Sequence, residues 1–126
     1  MERRLIPGHS PFEKVAGYSR AVVVGSYVHV AGTAPINADG SPPPEDAYGQ
    51  TKLCLEIIRE ALERAGSSLD GVVRTRAYLT DPEHFDGFAR AHGEAFADVR
   101  PVNTTVFTGL YDPAWKVEID VDAVLP

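Results

Sequence analysis

The polar residues best spaced for chemistry stand on two C-terminal segments. In residues 102–108, Asn103 and Thr105 fall on one side together with Phe107, and in residues 116–124, Glu118 is followed at alternate positions by Asp120 and Asp122. That alternation puts each set on one face of a strand. A carboxylate in such a row can move a proton if a dry cleft raises its pKa toward the working pH. It can equally be solvated, or pair across a sheet with Arg74 and Arg76, at roughly 0.2 to 1 kcal/mol per cross-strand pair. Asp120 and Asp122 are read in this second way, whereas Glu118 is open to either role.

Other chemistries find less support. His9, His29, His84 and His92 show no metal-ligand spacing, and neither a His-Glu-x-x-His run nor paired cysteines occur, so no metal site is expected. His92 lies in an apolar helical stripe and reads as a hydrogen-bonded core histidine. Cys54, the single cysteine, also falls on an apolar helical face, where a thiol packs rather than reacts. There is no Gly-x-Ser-x-Gly, phosphate loop or dinucleotide fingerprint, which removes the standard nucleophile and nucleotide chemistries.

The elements that must position these residues are legible from pattern. Residues 21–32 read as a hairpin, two β-branched strands around Gly25-Ser26. Residues 37–44, with a turn signal and three prolines, form an exposed loop. From 45 to 65, Cys54, Ile57, Ile58, Ala61, Leu62 and Ala65 recur at helical spacing, and Gly66 stands where a C-terminal cap belongs. Residues 72–80 form a strand with Val73, Thr75, Ala77 and Leu79 on one side and Arg74, Arg76 and Tyr78 on the other. Asp81-Pro82-Glu83 starts a second helix, whose stripe is Phe85, Phe88, Ala89, His92, Ala95 and Phe96. Strands at 102–108 and 116–124 complete the chain, the last with Val117, Ile119, Val121 and Ala123 inward, and residues 2–6 are a candidate short strand. One mixed β-sheet with both helices packed on one face buries both stripes, an α+β fold in a single domain over residues 1–126.

Composition bounds the partners. The chain has 126 residues and a net charge of −6, which suits one domain with one core and disfavours nucleic acid, since phosphate binding needs clustered Lys and Arg. No apolar run approaches the ~18 residues a membrane helix needs. The two early arginines are followed by no apolar stretch of signal-peptide length, so the cytoplasm is the expected compartment.

Four segments, in order and near family spacing, carry a resemblance. Gly17-Tyr18-Ser19-Arg20-Ala21-Val22, Val30-Ala31-Gly32-Thr33-Ala34-Pro35, Arg100-Pro101-Val102-Asn103-Thr104 and Val117-Glu118-Ile119-Asp120 together resemble the Rid family (reactive intermediate deaminases, YjgF-type, endoribonuclease L-PSP-like). The resemblance implies a chorismate-mutase-like fold, a homotrimer with clefts between subunits, and hydrolysis of enamines or imines to carbonyl compounds and ammonia without metal or organic cofactor. It gives Glu118 and Tyr18 the catalytic positions, and makes Gly32, Thr33 and Thr105 cleft-lining. Where active members carry a carboxylate-binding arginine, this chain has Asn103, which cannot make a charged bidentate fork. Arg20 or Arg90 is then the candidate compensating cation, with Arg90 also a candidate for a solvated helix face.

Two function classes follow: an enamine or imine hydrolase acting on a substrate other than a simple 2-amino acid derivative such as 2-aminoacrylate, the ligand still a candidate carboxylate, with Glu118 as general acid/base through water; or a non-catalytic metabolite-binding or regulatory trimer. A ribonuclease or translation inhibitor ranks third, on the low basic content.

Overall fold

A computed structural model describes residues 2–126. Three β-branched valines after Ala21 favour extended backbone, and Gly25, in the left-handed region at φ 59°, lets the chain reverse. The result is the expected hairpin of β2 (Ala21–Val24) and β3 (Tyr27–Thr33). The candidate N-terminal strand is present as β1 (Arg3–Ile6), antiparallel to β2.

The helix α2 (Ala47–Ala65) begins at Asp46, whose carboxylate accepts a hydrogen bond from the Gly49 N–H at 2.8 Å. It ends at Gly66, left-handed at φ 94°. Arg4 reaches across from β1 and donates to the Ala65 carbonyl at 2.6 Å, placing a cation at the negative end of the helix dipole. A short helix α1 (Phe12–Ala16), which the sequence pattern did not reveal, precedes the hairpin. Five residues are too few to show a helical period.

The strands β4 (Val72–Leu79), β5 (Val102–Phe107) and β6 (Val117–Val124) complete one six-stranded sheet in the order β1-β2-β3-β6-β4-β5, with only β4 and β5 parallel. The helix α3 (Phe85–Phe96) follows a single 3-10 turn at Pro82–His84, where Asp81 accepts from the Glu83 N–H. The expected α+β architecture is observed, with a core of residues such as Ile58, Leu62, Leu79 and Ile119 between the sheet and the helices on one face.

Two expectations are corrected. Val73 is exposed and Val72 buried, because a register shift between Val72 and Arg74 turns the start of β4 over. On α3, Phe85 is exposed at the first turn while Ala91 is buried beside Phe88 and Phe96. The inward row Val117, Ile119, Val121 and Ala123 is buried as expected.

Candidate functional site

Register assigns each polar side chain to a face. Asp122 stands opposite Arg74, Asp120 opposite Arg76 and Glu118 opposite Tyr78, all on the face without helices. Arg76 donates to Asp120 at 2.9 Å, Tyr78 donates its hydroxyl proton to the same carboxylate at 2.7 Å, and Asp122 lies 3.5 Å from Arg76. The two aspartates are therefore the paired acids that the sequence suggested.

Glu118 differs. Burial pushes its carboxyl above the ordinary range, Arg20 pulls it back in part, and Asp120 pushes it further up. The site around it follows from a bulge in β3. Val30 pairs with Val121 and Thr33 with Ile119, so β3 spends three steps where β6 spends two. The extra residue leaves Gly32 beside Glu118, where a β-carbon would come within 3.3 Å of the carboxylate. It also frees the Gly32 carbonyl, which accepts a hydrogen bond from Arg20 Nη2 at 2.7 Å.

Arg20 is only 8% exposed, and among the described residues its Nε has no hydrogen-bond partner. Gly8 packs over its stem, so close that a β-carbon there would lie 3.0 Å from Arg20 Cβ. That segment is clipped in turn by Glu13 of α1, which accepts from the Gly8 N–H at 2.8 Å. Gly17 ends α1 in the left-handed region at φ 76°, and Tyr18 follows at once.

Tyr18, Arg20, Gly32 and Glu118 thus line one cleft of about 290 Å³. Phe12, Tyr111 and Trp115 form its other wall. Phe12 meets Tyr111 edge-on at 5.2 Å between centroids, and Tyr111 lies 6.4 Å from Trp115. The loop carrying the last two is anchored by Gln50 of α2, whose amide donates to the Ala114 carbonyl at 2.9 Å and accepts from the Lys116 N–H at 2.7 Å. A second hollow of about 270 Å³ lies on the far side of Arg20, toward Leu53, Ile57 and Arg64 of α2, and contains neither Glu118 nor Tyr18.

The remaining sequence candidates stand elsewhere. Thr33 is fully buried, its hydroxyl donating to the Ala31 carbonyl at 2.8 Å. Asn103 and Thr105 pair with Thr75 and Ala77, which places them on the helix-covered side of the sheet. Asn103 donates to Thr75 Oγ1 at 3.0 Å and accepts from the Thr105 hydroxyl at 2.9 Å, while Thr75 Oγ1 lies 2.8 Å from His92 Nε2. His92 sits between Phe88 and Phe96, and burial holds it below the ordinary imidazole range. Arg90 lies on the helical layer with its guanidinium 3.8 Å from the centre of the Tyr48 ring. Within one chain none of these four joins Glu118. Cys54 is fully buried, and burial pushes its thiol up, as packing rather than reactivity demands.

Sequence reading missed Phe12, Tyr111, Trp115 and Gln50. The first three lie in loops or in a single helical turn, where no period exists to flag them. Gln50 precedes the apolar stripe used to recognise α2 and carried no signal of its own. Among the described residues no helix is long and apolar enough to cross a membrane, and no cluster of three His, Cys, Asp or Glu is arranged to hold a metal ion.

Comparison with known proteins is consistent across sequence and structure. The family model described as endoribonuclease L-PSP matches residues 8–125. A RutC family protein of Pyrococcus abyssi is 36% identical over 93 residues, covering 73% of this chain and 73% of its own. A crystal structure from Mycobacterium tuberculosis, described as a member of the highly conserved YjgF/YER057c/UK114 family, is 38% identical, with a TM-score of 0.89 over 98% of this chain and all of its own. A YjgF-family structure from Neisseria meningitidis is 28% identical, with a TM-score of 0.84 over 100% of this chain and 97% of its own.

Proposed function

The chain belongs to the endoribonuclease L-PSP family, which includes the YjgF and RutC proteins, and from that premise we propose that it is a hydrolase converting a small imine or enamine to a carbonyl compound and ammonia. The observation that carries this reading is the state of Glu118: a half-buried carboxyl raised by desolvation, facing a cleft beside Tyr18 and the bulged Gly32. A general acid/base needs that combination of a pKa moved toward working pH and access to the reacting atom.

In this reading the substrate is the protonated imine, and Glu118 takes a proton from water as the water oxygen attacks the imine carbon and the C=N π pair passes to nitrogen. The resulting neutral carbinolamine loses ammonia when Glu118 returns that proton to nitrogen and the C–N bond breaks; the hydroxyl proton passes through Glu118 to the departing ammonia as the carbonyl forms, leaving ammonium and an unprotonated Glu118. The Tyr18 hydroxyl, at the cleft mouth, holds the water. The chain needs no cofactor for these steps, since water supplies the oxygen and Glu118 the proton relay. The proposed assembly is a cytoplasmic homotrimer with this cleft at each subunit boundary.

The engagement of Asn103 with Thr75 and Thr105 favours the second reading, a non-catalytic metabolite-binding trimer, because β5 then presents no cation to a ligand. Ammonia release separates the two. Imines generated in place by an amino-acid oxidase should be hydrolysed faster with the protein than without it, and Glu118→Gln should remove the acceleration. Hydrolysis at the uncatalysed rate across small and aromatic imines, from a folded protein, would leave the binding reading.

A further inference from the structure

We infer that Arg20 is the carboxylate anchor of this cleft, and that Phe12, Tyr111 and Trp115 select a ligand with a planar aromatic group, so that the substrate class is aromatic 2-imino acids and their ketoacid products. The inference deepens the hydrolase reading and rests on it for the word substrate, but its binding half stands alone. Three observations carry it.

The first is that Arg20 is a buried guanidinium with unspent donor capacity. Its one hydrogen bond in the site is to the Gly32 carbonyl, its Nε has no partner among the described residues, and it lines the cleft. A guanidinium is always charged and seldom left so under-bonded where water is scarce. A carboxylate entering the cleft would supply the missing countercharge at the part of the guanidinium that lines it, and a planar group of donors suits its two oxygens.

The second is that Arg20 is not neutralised by an ion pair. No carboxylate lies within 4.0 Å of it among the described residues, the ion pairs being on β4, β6, α2 and at His29. Glu118 feels its charge at longer range. Both the cation and the proton-moving group line the same cleft without pairing, which leaves each open to a ligand there.

The third is the opposite wall. Tyr111 is 78% exposed although it is a large aromatic, and it stands in contact with Phe12 and near Trp115. The loop is held to α2 by Gln50 on both sides of Trp115, so that ring is placed rather than loose. An aromatic group entering between this wall and Tyr18 would cover them, and aromatic pairs contribute roughly 0.5 to 1.5 kcal/mol beyond area burial.

The test uses the unmodified chain and non-reacting ketoacids. Trp115 is the only tryptophan, so its fluorescence reports on this wall, and calorimetry gives the affinity independently. Phenylpyruvate should bind at least tenfold more tightly than pyruvate, and phenylacetone, which keeps the ring but lacks the carboxylate, should lose that advantage. Arg20→Gln should weaken phenylpyruvate tenfold or more, with Arg20→Lys recovering part of the loss. Should burial of Arg20 make those variants unstable, Tyr111→Ala at an exposed position keeps the test alive: it should bring the phenylpyruvate and pyruvate affinities together. Equal affinities in the unmodified protein, or phenylpyruvate binding that a folded Arg20→Gln does not alter, would overturn the inference. Selective binding without ammonia release from the corresponding imine would instead overturn the hydrolase reading alone. Turnover of small imines with no aromatic preference would overturn this inference and leave the hydrolase.

Discussion

A β-carbon on Gly32 would stand 3.3 Å from both Cδ and Oε2 of Glu118. That distance is tighter than ordinary van der Waals contact, so an alanine there would displace the carboxylate by a few tenths of an ångström. The backbone of Gly32 is outside the left-handed region, so no backbone strain is added. Gly32→Ala is expected to fold, at a stability loss of less than about 1 kcal/mol. Any hydrolysis should nevertheless fall tenfold or more, because small misplacements of a proton-transfer group are costly. Thermal unfolding and ammonia release, measured side by side, check it. Unchanged turnover would mean that the carboxylate is free to move and that the bulge does not set its position.

Glu118 also makes a signed prediction in pH. Its folded pKa is raised above the ordinary 4.5, chiefly by burial, so the folded state favours the protonated form. The stability this contributes is fully present at acid pH and is lost as pH rises through the folded value. Glu118→Gln should therefore be somewhat more stable than the parent at pH 7, with the difference vanishing below about 4.5. If Glu118 is the base, turnover should rise with pH along a limb lying above that value. Arg20→Gln should move the limb to higher pH, because Arg20 now holds the carboxyl down. A limb that stays in place in the Arg20 variant would uncouple the two residues.

Much of this is legible in the amino-acid sequence. The alternation in residues 117–124 fixed which side of β6 faces the core, and with it the face that carries Glu118. Gly66 and Asp81 mark helix ends in the sequence because the chemistry of a cap is local, whereas the Asp46 cap at the start of α2 emerges only in the structure. What alternation does not determine is register. Val73 was assigned to the wrong side by one extra residue, and the bulge that brings Gly32 to Glu118 is invisible in a run of valines and glycine. Arg20 could be named as a candidate cation, but its burial under Gly8 depends on contacts from a different element. The aromatic wall depends on a loop held by Gln50, a contact across 64 positions of sequence.

Asn103 is expected to act as a brace within one chain. It joins Thr105 to Thr75, whose hydroxyl oxygen accepts from Asn103 and stands within hydrogen-bond distance of His92 Nε2. Asn103→Ala should cost about 1 kcal/mol, the usual net worth of a hydrogen bond, without altering the Trp115 response to ketoacids. The His92 end of the chain is sensitive to acid. Burial holds its folded pKa below the ordinary 6.5, so its contribution to stability is present above that value and is lost as pH falls below it. Denaturant midpoints measured from pH 8 to pH 5 should decline, and His92→Gln should flatten that decline. An equally steep fall in the variant would assign the acid sensitivity to other groups.

The helix-free face of the sheet supplies the last prediction. Register places Leu5, Tyr27, His29, Val102 and Val106 on that face together with the Arg76–Asp120 and Arg74–Asp122 pairs. Leu5, Tyr27, Val102 and Val106 are all exposed in the isolated chain. A sheet face that mixes apolar side chains with already satisfied ion pairs is suited to burial against another protein surface, because its charges need not be stripped of partners on the way in. A closed ring of identical subunits is the assembly that covers such a face on every copy, and the trimer implied by the family resemblance is such a ring. Light scattering should therefore give a mass three times the 13.6 kDa of one chain. Val106→Asp puts an unpaired charge on the edge strand of the same face, and should shift the population toward monomer while circular dichroism stays unchanged. It should also loosen ketoacid binding if the neighbouring subunit completes the cleft beside Glu118. A monomer in the unmodified protein would remove the trimer, and with it the placement of the cleft at a subunit boundary, but would leave the Arg20 and Glu118 predictions to be tested within a single chain.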